Sequence, residues 1–266
     1  MVRAEPNRDR MEPLPEPLLA FDLPTGPTIE LANRVDSLVN RYRQHRDAGR
    51  ILPNSVEAIR VELTYHSNAI EGSTLTLRDT QLIIEGREPN TGKSLREIYE
   101  ARNHDFALRF VERGALSHPV TEQDILDVHA LVMKDIDVQG AGRYRVDRVL
   151  ITGTRFVPPG PHKFPQLLSA IVERANRPAI HFVVQAAEMH YNLVAVHPFA
   201  DGNGRTARLM MNYYLLRNGF PHTIIPVDRR PEYLAALEEA NAGHCEPFLG
   251  FVLDCVANSI ETLIGV

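Results

Sequence analysis

Cysteine is scarce, with Cys245 and Cys255 the two in 266 residues. They lie ten positions apart in a stretch of helical pattern, well separated along the helix axis, which argues against a bridge between them. Unbridged thiols lead to the expectation of a reducing, cytoplasmic setting. No apolar run reads as long enough to span a bilayer, and the N-terminus has no apolar core of a secretory leader, so no membrane partner is expected. Neither charge sign dominates: the net charge is −5, with acids and bases mixed along the chain. That pattern excludes a basic face for nucleic acid. Internal repeats are absent. What is present is apolar material, 44% of the residues, enough for a core of one large domain or of a core with an appended helical lobe.

Residues 1–26 carry Pro6, Pro13, Pro15, Pro17 and Pro24 and read as an extended or disordered arm. Residues 27–92 read as an N-terminal helical region. It has one helix from Ile29 to about Arg46, a second capped by Asn54, and a short one from Thr76 to Ile84. Residues 93–266 form the remainder, with helices from Leu95 to Val111, after the cap Thr121, from Gln166 to about Arg174, and from Ile180 to Val196. Two more follow Pro231 and Pro247. Between them, residues 143–157 are rich in β-branched and aromatic side chains, and Thr152-Gly153-Thr154 suits a hairpin turn. The expected fold is mainly α, a helical bundle with one short β-hairpin.

The chemistry concentrates in residues 197–208, His-Pro-Phe-Ala-Asp-Gly-Asn-Gly-Arg-Thr-Ala-Arg. A proline and two glycines sit between two apolar helical segments, so the chain must leave one helix, turn tightly and start another. Gly202, Asn203 and Gly204 bring free backbone N–H groups to the start of the second helix, where the dipole favours an anion. Arg205 and Arg208 are one turn apart and can add charge to that anion. His197 is a candidate base and Asp201 a candidate metal ligand in the same loop. Further upstream, Glu71 stands before Gly72 at a helix C-terminus, where the dipole disfavours an acid and a cation is wanted nearby.

The run resembles the signature of the Fic family, HxFx(D/E)GNGRxxR, with every defined position filled by His197, Phe199, Asp201, Gly202, Asn203, Gly204, Arg205 and Arg208. The resemblance covers roughly residues 55–260. It implies a Fic core with an N-terminal helical lobe, and transfer of AMP from ATP to a hydroxyl side chain (Ser, Thr or Tyr) of a target protein. His197 would be the base, Asp201 the Mg²⁺ ligand, and residues 202–208, Thr206 and Ala207 included, the phosphate cradle. Phe199 would anchor the loop in the core. Tyr233, Leu234 and Asn241 fall at positions similar to the family's nucleotide contacts, with Leu234 where an aromatic is often found. Residues 143–157 resemble the flap that registers a target peptide by strand addition, with Ile151, Thr152, Gly153 and Thr154 at its turn. Ser67, Glu71 and Gly72 match the family's inhibitory motif (S/T)xxxE(G/N), in which the glutamate pairs with the arginine that is Arg208 here.

Several readings stay open at this level. The same site could remove AMP from a target, with Glu71 positioning a water. The chain could be a non-catalytic, toxin–antitoxin-like binding module, or transfer another phosphate-containing group. Self-modification and a homodimer through the N-terminal helices are both compatible with the sequence.

Overall fold

The computed structural model describes residues 16–89, 92–179 and 181–265. The expected arm up to residue 15 lies outside the described residues, as do Asn90, Thr91 and Ile180. The first helices are α1 (Gly26–Asp47), α2 (Pro53–Ile70), α3 (Leu77–Ile84), α4 (Leu95–Ala115) and α5 (Glu122–Val132). After an irregular stretch come α6 (Phe164–Ala175), α7 (Phe182–Val196), α8 (Asn203–Arg217), α9 (Arg230–Asn241) and α10 (Glu246–Ile264).

Local chemistry sets many of these boundaries. Thr76, Ser94 and Thr121 each accept a hydrogen bond from the backbone N–H three residues on, and an acid at that third position answers back. Each pair satisfies two backbone donors that the helix itself leaves open. α2 differs from the expectation of an Asn54 cap: Pro53 occupies its first position and Leu52 stands before it. Proline has its φ already set for a helix and no N–H to satisfy, so it starts the helix two residues earlier.

α7 and α8 are buried on nearly all sides and form the centre. α4 and α5 cover one flank of α8, α6 covers α7, and α10 lies against α7, α9 and α1. α10 corrects one sequence expectation, because by length and composition alone it could span a membrane. Its apolar residues, Phe248, Val252, Val256 and Ile260 among them, are instead fully buried in the core. Residues 16–25 form no helix and are docked on the body. The Asn192 side chain pairs with both backbone groups of Leu19 at 2.9 Å, and Phe21 N–H donates to Glu188 Oε2 at 2.9 Å.

The hairpin expected in residues 143–157 does not form: no strand occurs among the described residues. Thr152 and Gly153 do make a turn, with Gly153 at φ 88°. The flanking chain spends its polar groups elsewhere, as Phe156 N–H donates to Thr154 Oγ1 and Arg145 N–H to Pro198 O. β-Branched residues favour a strand only when a neighbouring edge is available, and the helical body offers none.

Phe248 touches the rings of Phe21, His190, Tyr191 and Tyr233, joining α10 to the arm, α7 and α9. Phe248→Ala should cost about 3–5 kcal/mol, measured by urea denaturation. A loss under about 1 kcal/mol would show that these layers do not depend on that ring.

Candidate active site

α7 ends because His197 adopts the left-handed conformation, φ 48° and ψ 57°, and Pro198 cannot continue a helix. Phe199 then plugs inward, 1% exposed, with its ring stacked 3.6 Å from that of His129. The Asn203 side chain closes the loop on itself, accepting from Phe199 N–H at 3.0 Å and donating to Phe199 O at 2.9 Å. Gly202 caps α8 with φ 76°, and a Cβ there would lie 2.9 Å from Met133 Sδ. Only glycine fits both demands. Asn203, Gly204 and Arg205 open α8 with no preceding turn to take up their N–H groups, which supplies the expected anion nest.

His129 fastens this loop from α5. It accepts from Gly142 N–H at 3.0 Å and donates from Nε2 to Asp201 O at 3.0 Å. Burial pushes its pKa down to about 4, so it works as a neutral bridge.

Arg208 points from α8 into the end of α2. Its Nε donates to Ser67 Oγ at 3.0 Å, and Nη2 donates to Ser67 O at 2.8 Å and Glu71 Oε1 at 2.7 Å. Burial alone would lower the pKa of this guanidinium, but Glu71 and the Tyr233 hydroxyl hold it above its ordinary value. Tyr233 in turn lies 3.1 Å from His190 Nε2, and burial keeps that imidazole neutral with a pKa of about 3. Gly72 turns the chain away after Glu71 with φ 101°. Any side chain at position 204 would meet the acid, since a Cβ there would lie 2.4 Å from Glu71 Oε1.

Arg205 takes another direction. It is buried against Glu100 Oε1 at 3.2 Å and Asp201 Oδ1 at 3.4 Å. Asp201 also accepts from Arg96 at 2.5 Å and from Gly202 N–H at 2.6 Å. Burial would raise its pKa, but Arg205, the Gly202 N–H and Arg96 bring it below the usual carboxylate range.

A cleft of about 390 Å³ opens onto this arrangement. Glu71, His197, Gly204 and Arg208 line it, as do Tyr233, Leu234 and Asn241 from α9, and Ile151 to Thr154 from the irregular segment. Asp201, Gly202, Asn203, Arg205, Thr206, Ala207, Ser67 and Gly72 do not contribute to its walls. Asn241 is held by Tyr191, which donates to its Oδ1 at 3.1 Å, while its Nδ2 donates to Glu238 at 3.2 Å. The His197 ring has its Nδ1 3.4 Å from Val194 O, an acceptor, so Nδ1 carries the proton and Nε2 is left to take one up. Burial lowers the pKa of this imidazole, outweighing the Val194 carbonyl, Glu71 and Asp201, while Arg145 adds to the lowering.

Four contributors escaped the sequence reading. Arg230, just before the expected helix start at Pro231, lines the cleft and donates to Ile70 O at 2.7 Å, gripping the end of α2. Arg96, Glu100 and His129 serve the loop from α4 and α5. Their sole signal was polarity on helices whose other faces are apolar.

Comparison with known proteins gives a consistent result. The Fic/DOC family profile matches residues 119–215. Protein adenylyltransferase fic-1 of Caenorhabditis elegans is 42% identical over 207 residues, which are 76% of this chain and 40% of that protein. Protein adenylyltransferase Fic of Nematostella vectensis is 39% identical over 206 residues, 76% of this chain and 48% of that one. The chain therefore spans less than half the length of these curated relatives. The solved structure of Fic-1 residues 134–508 from C. elegans superposes with a TM-score of 0.80 at 36% identity, covering 89% of this chain and 72% of that one. A Fic family protein from Desulfovibrio desulfuricans does so with a TM-score of 0.77 at 27% identity, covering 91% and 76%. The helical bundle with its looped anion nest is a Fic fold, and the chain belongs to the Fic/DOC family.

NMR titration of the His197 imidazole should give a midpoint below 6.5, because burial disfavours the charged ring. The neutral, proton-accepting form then persists to lower pH than in a free imidazole. A midpoint at or above 6.5 would mean that the neighbouring carboxylates, not burial, govern the ring.

Proposed function

We propose that this chain transfers AMP from ATP to a hydroxyl side chain (Ser, Thr or Tyr) of a target protein and is restrained by Glu71. The observation that carries the reading is the convergence of His197, the α8 N-terminus, Arg208 and Glu71 on one cleft. The adenylyltransferase names of the relatives support it. So does IbpAFic2, a protein of the same fold solved in complex with adenylylated Cdc42.

His197 Nε2 takes the proton of the incoming hydroxyl as it attacks the α-phosphate, and the bond from that phosphate to pyrophosphate breaks. The free N–H groups at the start of α8 and the Arg208 guanidinium stabilise the charge on the phosphates. Leu234 and Asn241, which line the cleft from α9, receive the nucleoside. The exposed Val146, Leu150 and Val157, in the segment that carries the turn at Gly153, offer apolar side chains to a target peptide. Self-modification uses the same step. The two free thiols suit a reducing, cytoplasmic compartment.

Magnesium fits the donor set in a limited way. Among the described residues no cluster of three or more metal-ligating side chains occurs. Mg²⁺ bound with a nucleotide ordinarily needs only one or two carboxylates, the phosphates supplying further oxygens. Asp201 is half-exposed and its partner Arg96 more so, so its carboxylate could be released to such an ion. When bound, the ion would neutralise phosphate charge.

In the state described, Glu71 competes with the nucleotide. Arg208 cannot serve both the carboxylate and the γ-phosphate fully, and the acid repels the phosphates. An ion pair of this kind leaves a net ~1–3 kcal/mol after desolvation, enough to bias the nucleotide's pose by roughly tenfold or more. Removal of AMP from a target is the second reading, because Glu71 lines the same cleft as His197 and could orient a water there.

Incubation with α-labelled ATP tests both parts. Wild-type protein should label itself or a lysate target, and His197→Ala should lose at least ~10² of that rate while keeping its fold. Labelling of His197→Ala at the wild-type rate would remove it as the base. Glu71→Gly should label at least ~10-fold faster than wild type, and adding Arg208→Ala should cancel the gain. If Glu71→Gly labels no faster, the restraint is not there. If it stops removal of AMP from a pre-modified target, Glu71 acts in hydrolysis.

A further inference from the structure

Arg145 is a buried cation bound only to main-chain carbonyls. It is 6% exposed, and its Nε donates to His197 O at 2.8 Å. Nη2 donates to Pro159 O at 2.7 Å, and Nη1 donates to Asp147 O. Its own N–H reaches Pro198 O at 2.9 Å, and its guanidinium lies over the Phe164 ring, 4.9 Å from the centroid. Among the described residues no carboxylate forms an ion pair with it, and burial pushes its pKa below the ordinary value.

The three carbonyls are not arbitrary. One belongs to His197, which holds a left-handed backbone that a residue with a side chain adopts at some cost. The other two stand at the two ends of residues 147–159, the stretch that brings Ile151 to Thr154 to the cleft. That stretch has no strand pairing of its own to fix its position. A guanidinium presents its donors in a rigid planar fork, so one side chain can set three backbone groups relative to each other. Lysine, a single point on a flexible stem, cannot.

We propose that Arg145 is a positioning residue for transfer: it locks the main chain of His197 to both ends of the target-docking stretch, so that an acceptor hydroxyl arrives in register with the imidazole. The inference rests on the adenylyl-transfer reading above. It separates Arg145 from nucleotide binding, which falls to Gly204, Arg208 and α9 on other walls of the cleft. The arginine charge also bears on the imidazole itself. Among the groups facing His197, Glu71 on α2 and Asp201 in the loop raise its pKa, while Arg145 lowers it. Arg208, Arg230 and Glu238 share the cleft.

The test uses the full chain with Glu71→Gly as parent, so that restraint does not mask the effect, and compares Arg145→Met and Arg145→Lys. ATP affinity is measured by calorimetry, and self-labelling from α-labelled ATP is measured against pH. Both variants should bind ATP within about 2-fold of the parent and label at least ~10-fold more slowly, because a mis-set loop spoils the geometry of attack. In Arg145→Met the acid limb of the pH–rate profile should move to higher pH, since a charge that depresses the imidazole's pKa is gone. In Arg145→Lys the limb should stay near the parent's. Unchanged labelling in both variants overturns the proposal. So does a loss of ATP affinity equal to the loss of rate, which would make Arg145 a general staple of the loop. If Arg145→Met fails to fold by circular dichroism, the rate and ATP affinity of Arg145→Lys decide alone. A parent that binds ATP but labels nothing overturns the transfer reading and this inference with it, whereas an active parent with unimpaired variants sinks the inference only.

Discussion

A guanidinium taken out of water must find acceptors for its donors, and Arg208 finds three of them, one a counter-charge, at the end of one helix. Ser67 supplies a hydroxyl and a carbonyl, and Glu71 supplies the charge at 2.7 Å. The position suits the acid badly on its own, since a helix C-terminus already carries partial negative charge. Each group therefore relieves a strain in the other's surroundings. The pairing fixes how α2 sits on α8, and α2 carries α3 and the flank of α4 with it. It also needs Gly204, whose missing side chain is the space that Glu71 Oε1 occupies. The same glycine opens its backbone to an anion, so one absent methyl group serves both occupants of the site.

A second layer of positioning surrounds the loop, and beside the ion pairs of Arg96 and Arg205 it uses neutral or carbonyl-bound groups. His129 bridges Gly142 and Asp201 as an uncharged ring, and Asn203 closes the loop through Phe199. Arg145 contributes charge but spends it on carbonyl dipoles. The net result is an imidazole, His197, whose pKa is lowered by burial, beside the free N–H groups that open α8. In the proposed transfer, such an arrangement keeps the imidazole ready to accept a proton while the phosphates meet the N–H groups a few residues away.

Much of the site was legible in the sequence because the loop constrains residue type at each position. Gly202 must have positive φ, Phe199 must fill a core slot, and Pro198 must end α7. Thr76 and Thr121 were legible as caps for the same reason, each needing a short side-chain acceptor at one place. The start of α2 was misjudged because two helix-starting residues, Pro53 and Asn54, stand side by side, and the fixed φ of proline prevailed. The hairpin was misjudged because side-chain propensity says nothing about whether a partner edge exists. α10 was taken as too short an apolar run for a span, although its length and composition allow one. Pairs such as Arg96 with Asp201, 105 residues apart, or Arg145 with His197, 52 apart, leave no local pattern at all. The family resemblance carried the Glu71–Arg208 pairing across that gap, where periodicity could not.

The embrace of α1 by α10 bears on how the chain is made. Arg34 and Glu261 bond across 227 residues, and Thr28 and Glu246 across 218. On the ribosome α1, with its buried stripe of Ala32, Val35, Leu38 and Val39, emerges well before α10, which packs against it. At ordinary rates of elongation, that apolar stripe waits roughly 10–40 s for its mate. During this interval the nascent chain carries a greasy ridge that any passing hydrophobic surface can seize, which makes α1 a segment for a chaperone to shield.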